Sequence, residues 1–434
     1  MSGVFHGGGI AAAAEAYGGA VEDWLDLSTG INPEMAELPD MPARVWNRLP
    51  DRELDEAARA AARDWYLGGG GLPPSVLPDI SPSGGTAASG NGEGSAVSLF
   101  SPAGRSAERM RGDEGVLRHD FCASRTPSSG PAGHLLPAGE KREPAEPAPF
   151  LPTFSSLEEM PGRAEGGSPD RRLLPLPVPG TQSFIQILPS LAPSGRPVAV
   201  LSPTYGEYAH CFRRAGFAVE AIGDVGGLRD DHGALVVVNP NNPTGGVFRR
   251  AELVALSERM RGQGGHLHVD EAFGDGTGEL TVAAHAAVTG GVTVSRSFGK
   301  FFGLAGLRLG FVFATEKTLA AIAAGLGPWP VSGPALFIAG HLLRRDNTAF
   351  AGRIRARARA LEGVLGEAGL DVIGGTDLFK LVRHPRARYL FDHLARSHIL
   401  VRRFDYAGDW LRIGLTPDEE GDGRLARALA AAKD

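Results

Sequence analysis

Between residues 173 and 314 the chain alternates short apolar runs with helical stretches. Strands are predicted at 198–201, 218–222, 235–238, 267–269, 292–294 and 309–313, and helices at, for example, 184–191 and 251–261. A continuous apolar run bounded by helices marks a strand buried on both faces, the habit of a mainly parallel sheet covered by helices on each side. After Pro334 a long helical stretch, roughly 335–368, leads into a smaller α+β tail with strands near 378–382, 399–402 and 410–414. Ahead of all this lie a strand-like patch at 24–27, a loop through Asn32-Pro33, and a helix from about Asp51 to Tyr66. That helix carries Leu54, Ala57, Ala58, Ala61 and Trp65 at helical spacing.

One stretch breaks the pattern. From residue 67 the chain enters Gly68-Gly69-Gly70-Gly71 and then clusters of Pro, Ser, Gly and Glu, with apolar islands only at 97–100 and 150–154. Such a segment buries too little surface to offset its ordering entropy, so it is expected to be disordered or a loose surface excursion. Four parts result: an N-terminal arm and first helix (1–66), a low-complexity insertion (67–171), a large domain (172–330) and a small C-terminal domain (331–434).

Composition narrows the function classes. With 434 residues, 42% of them hydrophobic, the chain has enough material for a large core. A formal net charge of −6 argues against nucleic acid or an anionic membrane as partner, while leaving room for a local basic site. The two cysteines, Cys122 and Cys211, show no pairing pattern for a disulfide or a metal. The Gly- and Ala-rich start lacks the basic-then-apolar order of a signal peptide, and no run approaches ~18 apolar residues, the span of a membrane. A cytoplasmic protein is expected.

The chemistry gathers where the strands end. After 235–238 comes Asn239-Pro240-Asn241-Asn242-Pro243-Thr244-Gly245. After 267–269 comes Asp270-Glu271-Ala272-Phe273. After 292–294 comes Ser295-Arg296-Ser297-Phe298-Gly299-Lys300, with Arg308 eight residues further on. Open α/β sheets place ligands at the carboxyl ends of their strands. The groups match the needs of pyridoxal 5′-phosphate (PLP): Lys300 for its aldehyde, Asp270 for its ring nitrogen, Asn242 for its 3′ oxygen, and Tyr205 to cover its face. Ser297 and Arg308, with Gly180, Thr181 and Gln182 opening a helix, suit its phosphate. Each residue alone has an ordinary reading: a surface lysine, a helix cap, a turn, an ion pair. Their order and spacing together carry the inference.

The same motifs resemble the fold-type I PLP enzymes of the class I/II aminotransferase superfamily, over residues ~1–66 and ~172–434. Two branches are similar: the histidinol-phosphate aminotransferases and the threonine-phosphate decarboxylases of cobalamin biosynthesis. His6-Gly7-Gly8 with the following Ala-rich helix, residues 25–33 (Leu-Asp-Leu-Ser-Thr-Gly-Ile-Asn-Pro) and the loop Pro177-Val178-Pro179-Gly180-Thr181-Gln182 look like the decarboxylases. Two departures stand out. Phe273 occupies the place of a Tyr common in aminotransferases, and Leu49 that of a Tyr reaching the neighbouring subunit's PLP phosphate. The resemblance implies a homodimer, a small phosphorylated amino-acid substrate, and substrate contacts from His6, Asn32, Arg402 and Arg412. It implies decarboxylation of L-threonine O-3-phosphate to (R)-1-amino-2-propanol O-2-phosphate, with transamination, for instance of histidinol phosphate, as the alternative. A chain that has lost catalysis and serves as a binding or regulatory domain is disfavoured by intact Lys300, Asp270 and Arg308.

Overall fold

The computed structural model describes residues 7–67, 173–276 and 278–432. The expected insertion, apart from Leu67, lies outside the described residues, as does His6. Among them are thirteen strands: β1 (Leu25–Asp26), β2 (Leu176–Val178), β3 (Val198–Leu201), β4 (Val219–Ile222), β5 (Ala234–Val238), β6 (His266–Asp270), β7 (Val292–Ser297), β8 (Gly310–Phe313), β9 (Asp371–Thr376), β10 (Phe379–Arg383), β11 (Ile399–Leu400), β12 (Arg402–Phe404) and β13 (Ala407–Gly414).

Seven strands form the central sheet in the order β2-β8-β7-β6-β5-β3-β4. The run from β7 to β4 is parallel, whereas β8 is antiparallel to both of its neighbours. The strands read as unbroken apolar runs because each face meets its own core. Leu235, Val237, Leu267, Val269, Val292 and Val294 enter one cluster; Val198, Val200, Val236, Val238 and Val312 enter the other. The strand β2 escapes a reading of apolar periodicity because it is embedded in Leu174-Pro175-Leu176-Pro177-Val178-Pro179. Proline is compatible with a strand only at an edge, and β2 is an edge.

A second, antiparallel sheet has the order β12-β13-β10-β9. Two expectations in this part are revised. The predicted strand at 399–402 is divided: β11 pairs in parallel with β1, while β12 pairs with β13. The N-terminal arm is thereby stitched to the C-terminal region. The predicted helical stretch 335–368 is two helices, Gly333–Leu342 and Thr348–Glu367. At the break the Asn347 amide donates to Leu342 O at 2.8 Å and Asp346 Oδ1 accepts from Thr348 N at 2.9 Å, ending one helix and starting the next. The expected helix near 51–66 is observed as Arg52–Leu67, its Ala58, Ala61 and Ala62 fully buried.

Candidate active site

A cavity of about 320 Å³ opens at the carboxyl ends of the parallel strands. Its wall takes Tyr205 from beyond β3, Asn242 from beyond β5, Asp270 from β6, and Ser297 and Lys300 from the end of β7. Strand order changes direction between β3 and β5, which is where such sheets leave a crevice. Gly180, Thr181, Gln182 and Arg308 close one end; Arg402 and Arg412 from the antiparallel sheet, with Thr29, Gly30 and Ile31 of the arm, close the other.

Lys300 stands on the short helix Phe298–Phe301, with Nζ 4.5 Å from the centre of the Phe273 ring. Burial lowers its amine pKa below the usual lysine range. Asp270 opposes that shift, and Arg412 and Arg308 add to it. An amine so placed is more readily neutral and nucleophilic. The arm fixes this helix. Asn32 N donates to Lys300 O at 2.9 Å, and the Asn32 side-chain amide donates to Phe301 O at 3.0 Å. Gly303 has φ +65°, and a Cβ there would sit 2.5 Å from Glu34 O. Asn32 is thus a strut under the lysine and does not line the cavity.

Asp270 ends β6, one Oδ1 accepting from Ala272 N at 2.9 Å and from Ser295 Oγ at 3.3 Å. Burial raises its carboxyl pKa, with Lys300 and Tyr208 pulling the other way. Tyr205 donates its hydroxyl to Gln182 Oε1 at 3.1 Å, and Gln182 Nε2 donates to Glu207 at 2.7 Å. The Gln182 side chain therefore orients the aromatic ring; burial, then Glu207, pushes that phenol up to about 12.

The Asn-Pro-Asn-Asn-Pro-Thr-Gly loop divides its labour. Asn239 Oδ1 accepts from Phe248 N at 2.7 Å, and Asn241 donates to Pro203 O at 2.9 Å and to Thr244 Oγ1 at 2.8 Å. These two hold the loop. Asn242 faces the cavity, its Oδ1 accepting from Arg412 Nη1 at 2.5 Å, which leaves the Nδ2 end as a donor.

At the opposite end, Gly180 has φ +73° and a Cβ there would come within 2.8 Å of Arg308 Nη2. Arg308 itself sits at φ +55°, bracing Nη1 on Ala305 O at 3.2 Å. The helix Thr181–Ile187 begins here, so its first amides lack intrahelical acceptors. Amides, the Ser297 hydroxyl and a guanidinium line this end and could hold an anion. Gly180→Ala is expected to weaken retention of a phosphate-bearing cofactor by about tenfold, a strained φ plus a displaced guanidinium being worth roughly 1–3 kcal/mol. Equilibrium dialysis of the variant checks this.

Arg402 and Arg412 are direct cross-strand partners on β12 and β13. Like charges directly opposed are unfavourable. Arg412 is buried, donates Nη2 to Ser28 O at 2.7 Å, lies 4.9 Å from the Phe379 ring, and has a buried Nε without a hydrogen-bond partner among the described residues. Burial, then Arg402, pulls it down to about 9. An added anion could relieve the opposition of these two charges.

Several contributors have contacts that the motifs alone do not assign. Tyr208, three residues past Tyr205 on helix Glu207–Arg214, lies fully buried behind Asp270. Phe273 and Gly30 line the cavity face to face: a Cβ on Gly30 would lie 2.8 Å from the Phe273 ring. Glu271 and Arg296, adjacent to Asp270 and Ser297, form a buried ion pair at 2.9 Å that ties the ends of β6 and β7 together. All of these contacts depend on which elements become neighbours.

The donor set fits PLP. A buried amine, a carboxylate at a strand end, an amide donor, an aromatic ring and a cradle left open by a glycine all face one cavity. Comparison with known proteins agrees. The family described as aminotransferase class I and II matches residues 170–429. A threonine-phosphate decarboxylase from Sinorhizobium sp is 44% identical over 427 residues, covering 98% of each chain. Another from Pseudomonas aeruginosa is 35% identical over 433 residues, covering 99% of this chain and 98% of that one. The chain belongs to the class I and II aminotransferase family, in the group of the threonine-phosphate decarboxylases. Its fold is that of a histidinol-phosphate aminotransferase from Clostridium acetobutylicum, with TM-score 0.54 at 21% identity over 61% of this chain and 86% of that one. Membership makes this chain a PLP-dependent enzyme and gives the cavity its expected occupant.

Proposed function

We propose that the chain decarboxylates L-threonine O-3-phosphate to (R)-1-amino-2-propanol O-2-phosphate, for cobalamin biosynthesis. The observation that carries this reading is 44% identity along 98% of the chain to a threonine-phosphate decarboxylase. The cavity supports it by offering Arg402 and Arg412 at one end, two guanidinium forks for a substrate with two anionic groups.

Lys300 would hold the cofactor aldehyde, Asp270 the ring nitrogen, Asn242 the 3′ oxygen, and Tyr205 one ring face. Gly180, Thr181, Gln182, Ser297 and Arg308 would hold the phosphate. When bound, PLP serves as the electron sink for a bond broken at Cα. Which bond at Cα breaks would be selected by how the chain's own residues orient the substrate. Arg412 and Arg402 clamp the substrate anions and set that orientation. The Cα–carboxylate bond breaks, carbon dioxide leaves, and a proton takes its place at Cα with no net oxidation. Lys300 is the amine lining the cavity that would deliver that proton. Gly30 and Phe273, which line the cavity in close approach, would help to exclude water from it. His6 is proposed to join the substrate end with the arm.

We also propose a homodimer and a cytoplasmic location. The arm exposes Met35 at 58%, Trp46 at 64% and Leu49 at 65%, large apolar surface that a second subunit would cover. No helix among the described residues is long and apolar enough to cross a membrane. Trp46→Glu is expected to shift the protein toward monomer by sedimentation velocity; a parent chain sedimenting as a monomer would rule the dimer out. The chain is further proposed to divide near residue 330, since the central sheet lies within 176–313 and the antiparallel sheet within 371–414.

Product analysis with threonine phosphate tests the activity. Carbon dioxide released without any keto acid supports the reading. Turnover only with 2-oxoglutarate, and no carbon dioxide, overturns it.

A further inference from the structure

The face of the central sheet that meets helices Thr181–Ile187 and Glu207–Arg214 is an apolar layer crossed by one polar stripe. Alternate residues of β6, His266, His268 and Asp270, share this face, and opposite His268 and Asp270 on β7 stand Thr293 and Ser295. None of the five is more than 6% exposed. The Phe184 ring packs edge-on against His268 at 5.2 Å between centroids. A valine or leucine at 268 would fill this layer without any polar partner to satisfy, so the stripe is not what packing alone selects.

The stripe is hydrogen-bonded in series. His266 Nε2 and His268 Nδ1 each lie 3.0 Å from Thr293 Oγ1. His268 Nε2 lies 3.2 Å from Tyr208 Oη and 3.4 Å from Ser295 Oγ. Ser295 Oγ reaches Asp270 Oδ1 at 3.3 Å, and Tyr208 pulls the pKa of the same carboxyl down. The series starts in the core and ends on the carboxylate beside Lys300.

Proton positions decide what the series does. Burial holds His266 at about 4 and His268 at about 3, so both rings are neutral with one N–H each. An ionised Asp270 only accepts. In one arrangement His266 Nε2–H donates to Thr293, Thr293 donates to His268 Nδ1, and His268 Nε2–H donates to Tyr208 Oη or Ser295 Oγ. Both hydroxyl protons are then free to point at Asp270. In the reverse arrangement His268 Nε2 is an acceptor and takes one of those protons away. Lys300 and Tyr205 face Asp270 from the cavity; Tyr208 and Ser295 face it from behind. An anion at the end of a buried chain polarises it toward itself, which selects the first arrangement.

We propose that His268 is a positioning residue for Asp270: by carrying its proton on Nε2 it turns the hydroxyls of Tyr208 and Ser295 onto the carboxylate and keeps it ionised for the cofactor's ring nitrogen. The proposal rests on Asp270 being that nitrogen's partner. His268 touches neither cofactor nor substrate.

The test uses the PLP-loaded protein and its His268→Leu and His268→Gln variants. The readouts are PLP dissociation and the pH midpoint of the visible absorbance band. His268→Leu is expected to bind PLP about ten- to hundredfold more weakly, because without the Nε2 donor the hydroxyls are no longer held on the carboxylate and one hydrogen bond to that charged group is lost, with a displaced pH midpoint. His268→Gln, whose amide N–H replaces the Nε2 donor, is expected to recover to within about threefold. A His268→Leu protein with parental affinity and midpoint, altered only in thermal stability, overturns the proposal and leaves an ordinary core histidine. Should His268→Leu not fold, Thr293→Val removes the hydroxyl that sets the His268 proton. It must weaken PLP binding too, and unchanged affinity overturns the idea. Histidine ¹⁵N shifts of the loaded protein, with His268 assigned by its absence from the Gln variant, should show Nε2 protonated and Nδ1 bare; the reverse tautomer also overturns it. A parent chain that takes up no PLP would instead refute the cofactor reading, before any variant is compared.

Discussion

Lys300→Ala is expected to reduce carbon dioxide release from threonine phosphate by about 10⁴-fold, the upper range for removing a positioned acid–base group. That is roughly 5.5 kcal/mol of barrier. Borohydride treatment should fix PLP covalently to the parent chain and not to the variant, which mass spectrometry reads directly. The fold should survive, because the change removes a buried amine whose charge burial already disfavours. The helix Phe298–Phe301 is meanwhile held by backbone bonds from the arm that need no lysine side chain, as in Asn32 N to Lys300 O. Residual turnover near parental levels would remove Lys300 from the mechanism.

Arg412→Ala is expected to raise KM for threonine phosphate by roughly 30- to several-thousand-fold, since truncating one partner of a buried charge pair costs about 2–5 kcal/mol. The cofactor's absorbance should stay as in the parent. Arg412→Lys should fall between the two, keeping the charge and losing the fork. Arg412 lies directly across the sheet from Arg402 and has a buried Nε without a hydrogen-bond partner among the described residues, which is the basis for proposing a substrate anion as its partner. Loss of PLP from Arg412→Ala would mean that the contact with Asn242 Oδ1 makes Arg412 part of the cofactor site instead.

How much of the site was legible beforehand depends on the kind of residue. Lys300, Asp270, Asn242, Ser297 and Arg308 sit at strand ends in fixed order, so local pattern and the chemistry of PLP located them, and they do share one cavity. Gln182 was legible as a position, but its side chain is committed to Tyr205 and Glu207. The resemblance implies a substrate contact for Asn32, yet its side-chain amide donates to Phe301 O. A motif says which residue type recurs at a place and not which way its side chain turns. His268 looked like part of an apolar strand run. Its meaning appears only when β7 brings Thr293 and Ser295 alongside and helix Glu207–Arg214 lowers Tyr208 onto it.

By itself, the sequence determined the parallel core, the class of cofactor and the ordered set around Lys300, because strand burial and cofactor chemistry are written in short local patterns. Only the tertiary structure decided the rest. It split residues 399–404 between two sheets, opposed Arg402 to Arg412, laid Asn32 under the lysine and joined Asp270 to a buried histidine. The arm reaches segments hundreds of residues away, while the arginine pair and the histidine–aspartate link join neighbouring strands; all depend on register and on which surfaces are buried against each other, which no local pattern encodes.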